Sequence, residues 1–184
     1  MKTIYRMFGI AVLSLLFSVT GCAADSNDEG VANQKAVLVT GASTGIGRKI
    51  TAALAAEGYF VYAGARKQAD LDALNEIENV QSIKLDVTID EEIAATVETV
   101  RDGGRGLYGL VNNAGVYIGG PLVDVDLDEF RWLMDVNVYG VYLVTQAFAP
   151  MIIAEKGRIT TIGSISGILS GRFSGQYTYE QARH

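Results

Sequence analysis

The sequence predicts an α/β fold built on a doubly wound parallel sheet, and three observations carry that prediction. Short apolar runs alternate five times with segments of helical spacing between residues 35 and 162. The first apolar run ends in a glycine-rich turn that leads straight into a helix. The 184 residues, 49% of them hydrophobic, suffice for one domain with a real core and not for two.

The elements follow in order. Residues 35–40 hold Ala-Val-Leu-Val before a glycine turn, which reads as a buried strand. Residues 46–57 have helical spacing, with Ile46, Ile50, Ala53 and Leu54 expected inward, and Gly58 stops them. A second strand is expected over 59–63, a helix over 69–77 and a third strand over 80–85. The helix over 90–101 carries Glu91, Glu92 and Glu98, which read as a solvated face with acid favourably placed at its start. A fourth strand begins at 109–112, a long helix spans 126–153, and a fifth strand spans 158–162. Strand and helix in alternation mean right-handed βαβ crossovers, a parallel sheet and helices on both faces.

Composition narrows the function. A net charge of −6 argues against a nucleic-acid partner, which wants a basic surface. One cysteine, Cys22, allows no intrachain disulfide. With His184 as the lone histidine, a His/Cys metal site is not expected.

Residues 1–22 read as a signal peptide. Lys2 and Arg6 precede an apolar stretch over 7–19 that is too short for a membrane span. It ends Val19-Thr20-Gly21-Cys22, which resembles a bacterial lipobox and makes Cys22 the candidate lipidation site. Residues 23–34 are small and polar, a flexible tether. These features predict a lipoprotein held to the membrane of the bacterial cell envelope, with the cytoplasm as the alternative. Residues 35–184 form the folded domain.

The chemistry sits in the turns. Thr40-Gly41-Ala42-Ser43-Thr44-Gly45-Ile46-Gly47 lies between the first strand and its helix. Gly41 would make the tight turn, Gly45 would let backbone approach a pyrophosphate, and Gly47 would let helix and strand pack closely, as in Rossmann-type sites. Ser43, Thr44 and Ile46 complete the phosphate-facing loop, where the helix N-terminus offers N–H groups and partial positive charge. Further on stand Asp86-Val87 after the third strand, Asn112-Asn113-Ala114-Gly115 after the fourth, and Asn137 in Asp-Val-Asn-Val on the long helix.

This ordered set resembles the short-chain dehydrogenase/reductase family over about residues 35–181. The resemblance implies a Rossmann-type domain, here its first five βα units, that moves a hydride between a nicotinamide cofactor and an alcohol or carbonyl. It implies that Asp86 and Val87 meet adenine, that Asn113, Ala114 and Gly115 shape the cofactor cleft, and that Asn137 belongs to the active site. NAD sites usually end the second strand in an acid. Here the run is Ala63-Gly64-Ala65-Arg66-Lys67, so Arg66 and its neighbour favour NADP(H), with NAD(H) the alternative.

The family's acid–base set is a serine, a tyrosine and a lysine four residues beyond the tyrosine. Ser164 at the end of the fifth strand matches the serine, and Tyr177 follows 13 residues later. A free tyrosine has a pKa of about 10, and a lysine cation brings it toward neutrality. Position 181 holds Gln181 instead. Tyr179 with Arg183 is a poorer frame, because its spacing from Ser164 is worse and arginine donates through a fork. Plausible codons for 179–184, read one base on, give Met-Ser-Lys-His-Ala and restore a lysine in register. The expectation is a one-base shift that ends the chain early and leaves it a poor enzyme, since lost acid–base chemistry costs on the order of 10²–10⁴ in rate. The fifth strand would then be an open apolar edge, and the homo-oligomer typical of the family becomes doubtful. The segments Leu107-Tyr108-Gly109-Leu110-Val111 and Asp135-Val136-Asn137-Val138-Tyr139 look most like the branch acting on retinoid- and steroid-type alcohols and ketones. The competing reading is a lipid-anchored nucleotide-binding or structural pseudoenzyme.

Overall fold

A computed structural model describes residues 34–167. Residues 1–33, with the expected signal segment, Cys22 and the expected tether, and residues 168–184, with Tyr177 and Gln181, lie outside the described residues.

The strands are β1 Ala36–Val39, β2 Phe60–Ala65, β3 Val80–Lys84, β4 Gly109–Asn112 and β5 Arg158–Thr161. They form one five-stranded sheet in the order β3-β2-β1-β4-β5, parallel at every pairing. The predicted α/β parallel sheet is therefore what forms. Between the strands run α1 Gly45–Ala56, α2 Gln68–Asn75, α3 Asp90–Asp102, α4 Leu127–Met134 and α5 Gly140–Ala154.

The pleat explains why β1 must be apolar throughout. Ala36 and Leu38 enter one core with Tyr62, Val100, Val144, Phe148 and Ile152. Val37 and Val39 enter a second core with Ala55, Val61, Leu71 and Leu74. Side chains alternate between faces, and both faces of a parallel sheet are covered by helices. At the sheet's outer strands the cover thins: β3 buries Ile83 but exposes Gln81 and Lys84, and all four residues of β5 are exposed.

Two helices differ from expectation. In α1 the buried residues are Gly47, Thr51 and Ala55, with Ile50 and Leu54 half-buried, while Ala53 is exposed and Ile46 is 60% exposed. A stripe of small residues at i, i+4 and i+8 brings the helix close to the sheet, and that rotates Ile46 out of the core. The long helix expected over 126–153 is helical throughout Leu127–Ala154 but contains a π-turn at Asp135–Tyr139. Asp126 caps its start, with Oδ1 accepting from the N–H groups of Asp128 (2.8 Å) and Glu129 (3.4 Å). This stretch is long and apolar enough to cross a membrane by length and composition. In the fold it lays Val136, Val144, Phe148 and Ile152 on the sheet, and it exposes Trp132, Tyr139, Tyr142 and Ile153.

Candidate active site

The strand order reverses between β1 and β4, because the chain fills the sheet outward from β1 to β3 and then returns to the other side. Loops leaving the carboxyl ends of these two strands diverge and open a crevice, the usual ligand position in such sheets. A cleft of about 530 Å³ lies there.

Its floor is two loops stitched together. The Thr40 hydroxyl accepts from the N–H groups of Asn113 and Ala114, each at 3.0 Å. The Asn113 amide donates to the carbonyls of Thr40 and Gly41, each at 3.0 Å. The loop after β1 and the turn after β4 therefore hold one another with their own polar groups satisfied. Glycine is required where they touch. Gly41 has φ +64°, and a methyl group on it would sit 2.8 Å from Ala114 Cα. A methyl on Gly47 would collide with the Gly41 carbonyl and the Asn113 amide. Gly47, in the first turn of α1, thus lets the helix close on the loops after β1 and β4. Gly45, at φ +56°, has nothing within 4 Å of where a methyl would stand, so its face is open to the cleft.

Thr44 holds the N-cap position of α1 in extended backbone with no side-chain cap hydrogen bond. The first-turn N–H groups of a helix have no carbonyl within the helix to bond. They open beside Gly45, which is the arrangement an anion needs.

The structure brings the sequence-predicted cofactor residues into this one cleft: Gly41, Ser43, Thr44, Gly45, Ile46 and Gly47 from the first loop, Arg66 after β2, Asp86 and Val87 after β3, and Asn113, Ala114 and Gly115 after β4. The sequence reading missed its apolar walls, Ala65, Leu85, Val116 and Val136. These four lie at a strand end, in loops and in the long helix, and an isolated apolar residue at such places carries no separate signal.

Asp86 sits at the far end of the cleft. Its Oδ1 accepts from Thr88 N (3.0 Å) and Thr88 Oγ1 (2.7 Å), and its Oδ2 lies 3.5 Å from Arg66 Nη1. Burial pushes the carboxyl up, but the Thr88 hydrogen bonds and the Arg66 charge outweigh it and hold the group below its ordinary value. The loop itself is pinned from α3: Glu92 Oε2 accepts from Asp86 N at 2.7 Å, and Oε1 meets Lys84 Nζ at 2.7 Å. Glu92 is therefore a strut between two elements and not the solvated charge that the sequence reading expected. Its position three residues after the N-cap Ile89, where a carboxylate can reach back to a preceding N–H, was the available signal.

A second cavity of about 340 Å³ adjoins the first, sharing Ile46, Asn113, Ala114, Gly115 and Val116. Asn137 and Ser164 both line it. Asn137 is buried in the π-turn, where its Oδ1 accepts from Val116 N and its Nδ2 donates to Val116 O, both at 2.8 Å. The side chain thus clamps the segment that follows β4. π-Turns of this kind recur at functional sites because they re-aim one residue of a helix. Ser164 follows β5, and its Oγ accepts from Ser166 N at 3.2 Å in a short 3₁₀ turn. Among the described residues no cluster of metal-ligating side chains is present.

Comparison with known proteins agrees with this geometry. The family model for short chain dehydrogenases matches residues 35–179. The chain is 40% identical over 147 residues to the short-chain dehydrogenase cctT of Talaromyces islandicus, covering 78% of this chain and 52% of that protein. It is 35% identical over 143 residues to mitochondrial D-beta-hydroxybutyrate dehydrogenase of Bos taurus, covering 72% and 42%. Among solved structures, an actinorhodin polyketide ketoreductase with NADPH superposes with a TM-score of 0.77 at 29% identity, covering 82% of this chain and 61% of that one. An alcohol dehydrogenase from Thermococcus sibiricus complexed with 5-hydroxy-NADP gives 0.77 at 27%, covering 81% and 66%. The chain spans about half the length of the curated relatives it matches. With a family match over most of its length and the cleft at the strand-order reversal, the chain belongs to the short-chain dehydrogenase family.

Proposed function

We propose that the protein is an oxidoreductase that moves a hydride between NADP(H), or NAD(H), and an alcohol or carbonyl substrate. The observation that supports this most is the cleft at the strand-order reversal, where a glycine with an open face adjoins an uncapped helix start. Its volume falls within the range of ligand pockets, roughly 300–1,000 Å³. The polar loop at one side suits a pyrophosphate, and the apolar walls Ala65, Leu85 and Val87 suit a flat base.

When bound, the nicotinamide supplies the hydride acceptor or donor. The chain's own residues do the rest. The Ser164 hydroxyl polarises the substrate oxygen, and the Tyr177 phenol exchanges a proton with that oxygen. In oxidation the proton leaves the alcohol for the phenolate, and in reduction it returns to the alkoxide. Asn137 keeps the wall of the second cavity in place through Val116. That cavity, lined in part by Val116, Tyr117, Val141 and Ile162, suits a hydrophobic alcohol or ketone. Arg66 and Lys67 after β2, with no acid there, favour NADP(H).

Gln181 supports a second reading, since it stands where the family pattern wants a lysine. Without that cation the phenol holds its proton at neutral pH, and the chain binds nucleotide with weak or no turnover. Such a chain would be a pseudoenzyme. We also propose that Cys22 carries lipid and tethers the protein to the bacterial envelope. One experiment separates the first two readings: NADPH fluorescence titration of the purified chain, followed by assay with a panel of secondary alcohols and ketones. Binding with turnover supports the dehydrogenase, binding without turnover supports the nucleotide-binding pseudoenzyme, and no binding removes both and leaves the structural one. Labelled palmitate incorporation that survives Cys22→Ala would sink the anchor.

A further inference from the structure

Arg66 and Asp86 face each other across the end of the cleft, one after β2 and one after β3, with Arg66 Nη1 3.5 Å from Asp86 Oδ2. The two partners are unequal. The Asp86 carboxylate is held by two hydrogen bonds from Thr88, and its backbone by Glu92, which is itself fixed on Lys84. Its side chain is 22% exposed, whereas that of Arg66 is 57% exposed. Asp86 is thus a fixed anion, and Arg66 is the long arm that can swing.

A guanidinium grips a carboxylate and a phosphate with the same fork of donors. While Arg66 rests on Asp86, a phosphate entering this end of the cleft must draw it away. We propose that Asp86 limits discrimination between nucleotides with and without a 2′-phosphate by competing for Arg66. The proposal rests on reading the cleft as a nicotinamide-nucleotide site. NAD(H), which brings no phosphate to that position, leaves the ion pair intact. NADP(H) binds at the cost of breaking it.

The test is a set of dissociation constants for NADPH and NADH, measured by fluorescence on the full chain, Asp86→Asn, Arg66→Gln and the double variant. Asparagine keeps the size of the side chain and an oxygen for Thr88. The ratio of the two affinities cancels any effect on the shared adenosine. The expected result is a shift of that ratio toward NADPH in Asp86→Asn of about fivefold, the scale of a partly exposed ion pair. The shift collapses in the Arg66→Gln background and shrinks as salt is raised. An unchanged ratio in Asp86→Asn overturns the inference. So does a shift that persists in full without Arg66, which would mean simple repulsion of the phosphate. If Asp86→Asn does not fold, Asp86→Ser carries the same comparison. Failure of the unmodified chain to bind either nucleotide removes the nucleotide reading and this inference with it, whereas binding with an unaltered ratio removes this inference alone.

Discussion

At the scale of single residues, the site depends on small contacts that have no slack. A methyl at Gly41 meets Ala114 backbone and strains a positive φ, whereas one at Gly45 meets only the strain. Gly41→Ala is therefore expected to destabilise the fold clearly more than Gly45→Ala, whose cost is about 1–2 kcal/mol from the left-handed backbone alone. Urea denaturation of the two variants checks the order. Asn137 satisfies both polar groups of Val116. Asn137→Ala removes both partners from a half-buried N–H and C=O and should cost roughly 1–3 kcal/mol, with nucleotide affinity falling alongside. Equal stability in that variant would contradict the clamp. Asp86 titrates below its ordinary value in the folded chain. A depressed carboxyl contributes stability that is full above about pH 4 and fades as pH falls through the folded pKa. Asp86→Asn should therefore flatten the acid limb of the stability curve below about pH 4 and leave the curve above it unchanged in slope.

At the scale of elements, the helical stretch over 127–154 does most to seat the site. Its α5 part buries Val144, Phe148 and Ile152, and its π-turn delivers Asn137. Phe148→Ala should cost about 3–5 kcal/mol, as for a fully buried aromatic, and a much smaller loss would mean that α5 packs loosely. Strand β5 forms the edge of the described sheet and exposes Ile159 at 43%. Ile159→Lys places a charge on that edge and should lower self-association, read by light scattering at rising concentration. Strand and helix positions were legible because period 2 and period 3.6 leave different apolar patterns. The π-turn was not, since one extra residue in a helix changes hydrogen bonding without changing composition. Ile46 misled for a related reason: it keeps helical spacing with the core face, yet the small side chains of Gly47, Thr51 and Ala55 set how the helix turns on the sheet.

At the scale of the whole molecule, nucleotide binding should stabilise the fold, because the cleft is built from loops after β1, β2, β3 and β4 together. NADPH at a hundredfold excess over its Kd adds about 2.7 kcal/mol, visible as a rise in Tm of several degrees, and no rise would argue that the cleft does not take the nucleotide. By itself, the sequence determined the parallel α/β class, the order of its elements and the residues that gather in the cleft. Those are local properties: side-chain period, glycine at turns and short motifs at strand ends. Only the tertiary structure decided which side chains meet across loops. The Thr40–Asn113 stitch, the Asn137–Val116 clamp, the Glu92 strut and the Arg66–Asp86 pair each join residues from different elements, separated by 6 to 73 positions. Such contacts are set by strand order and by the angle at which a helix lies on the sheet, which no stretch of sequence contains.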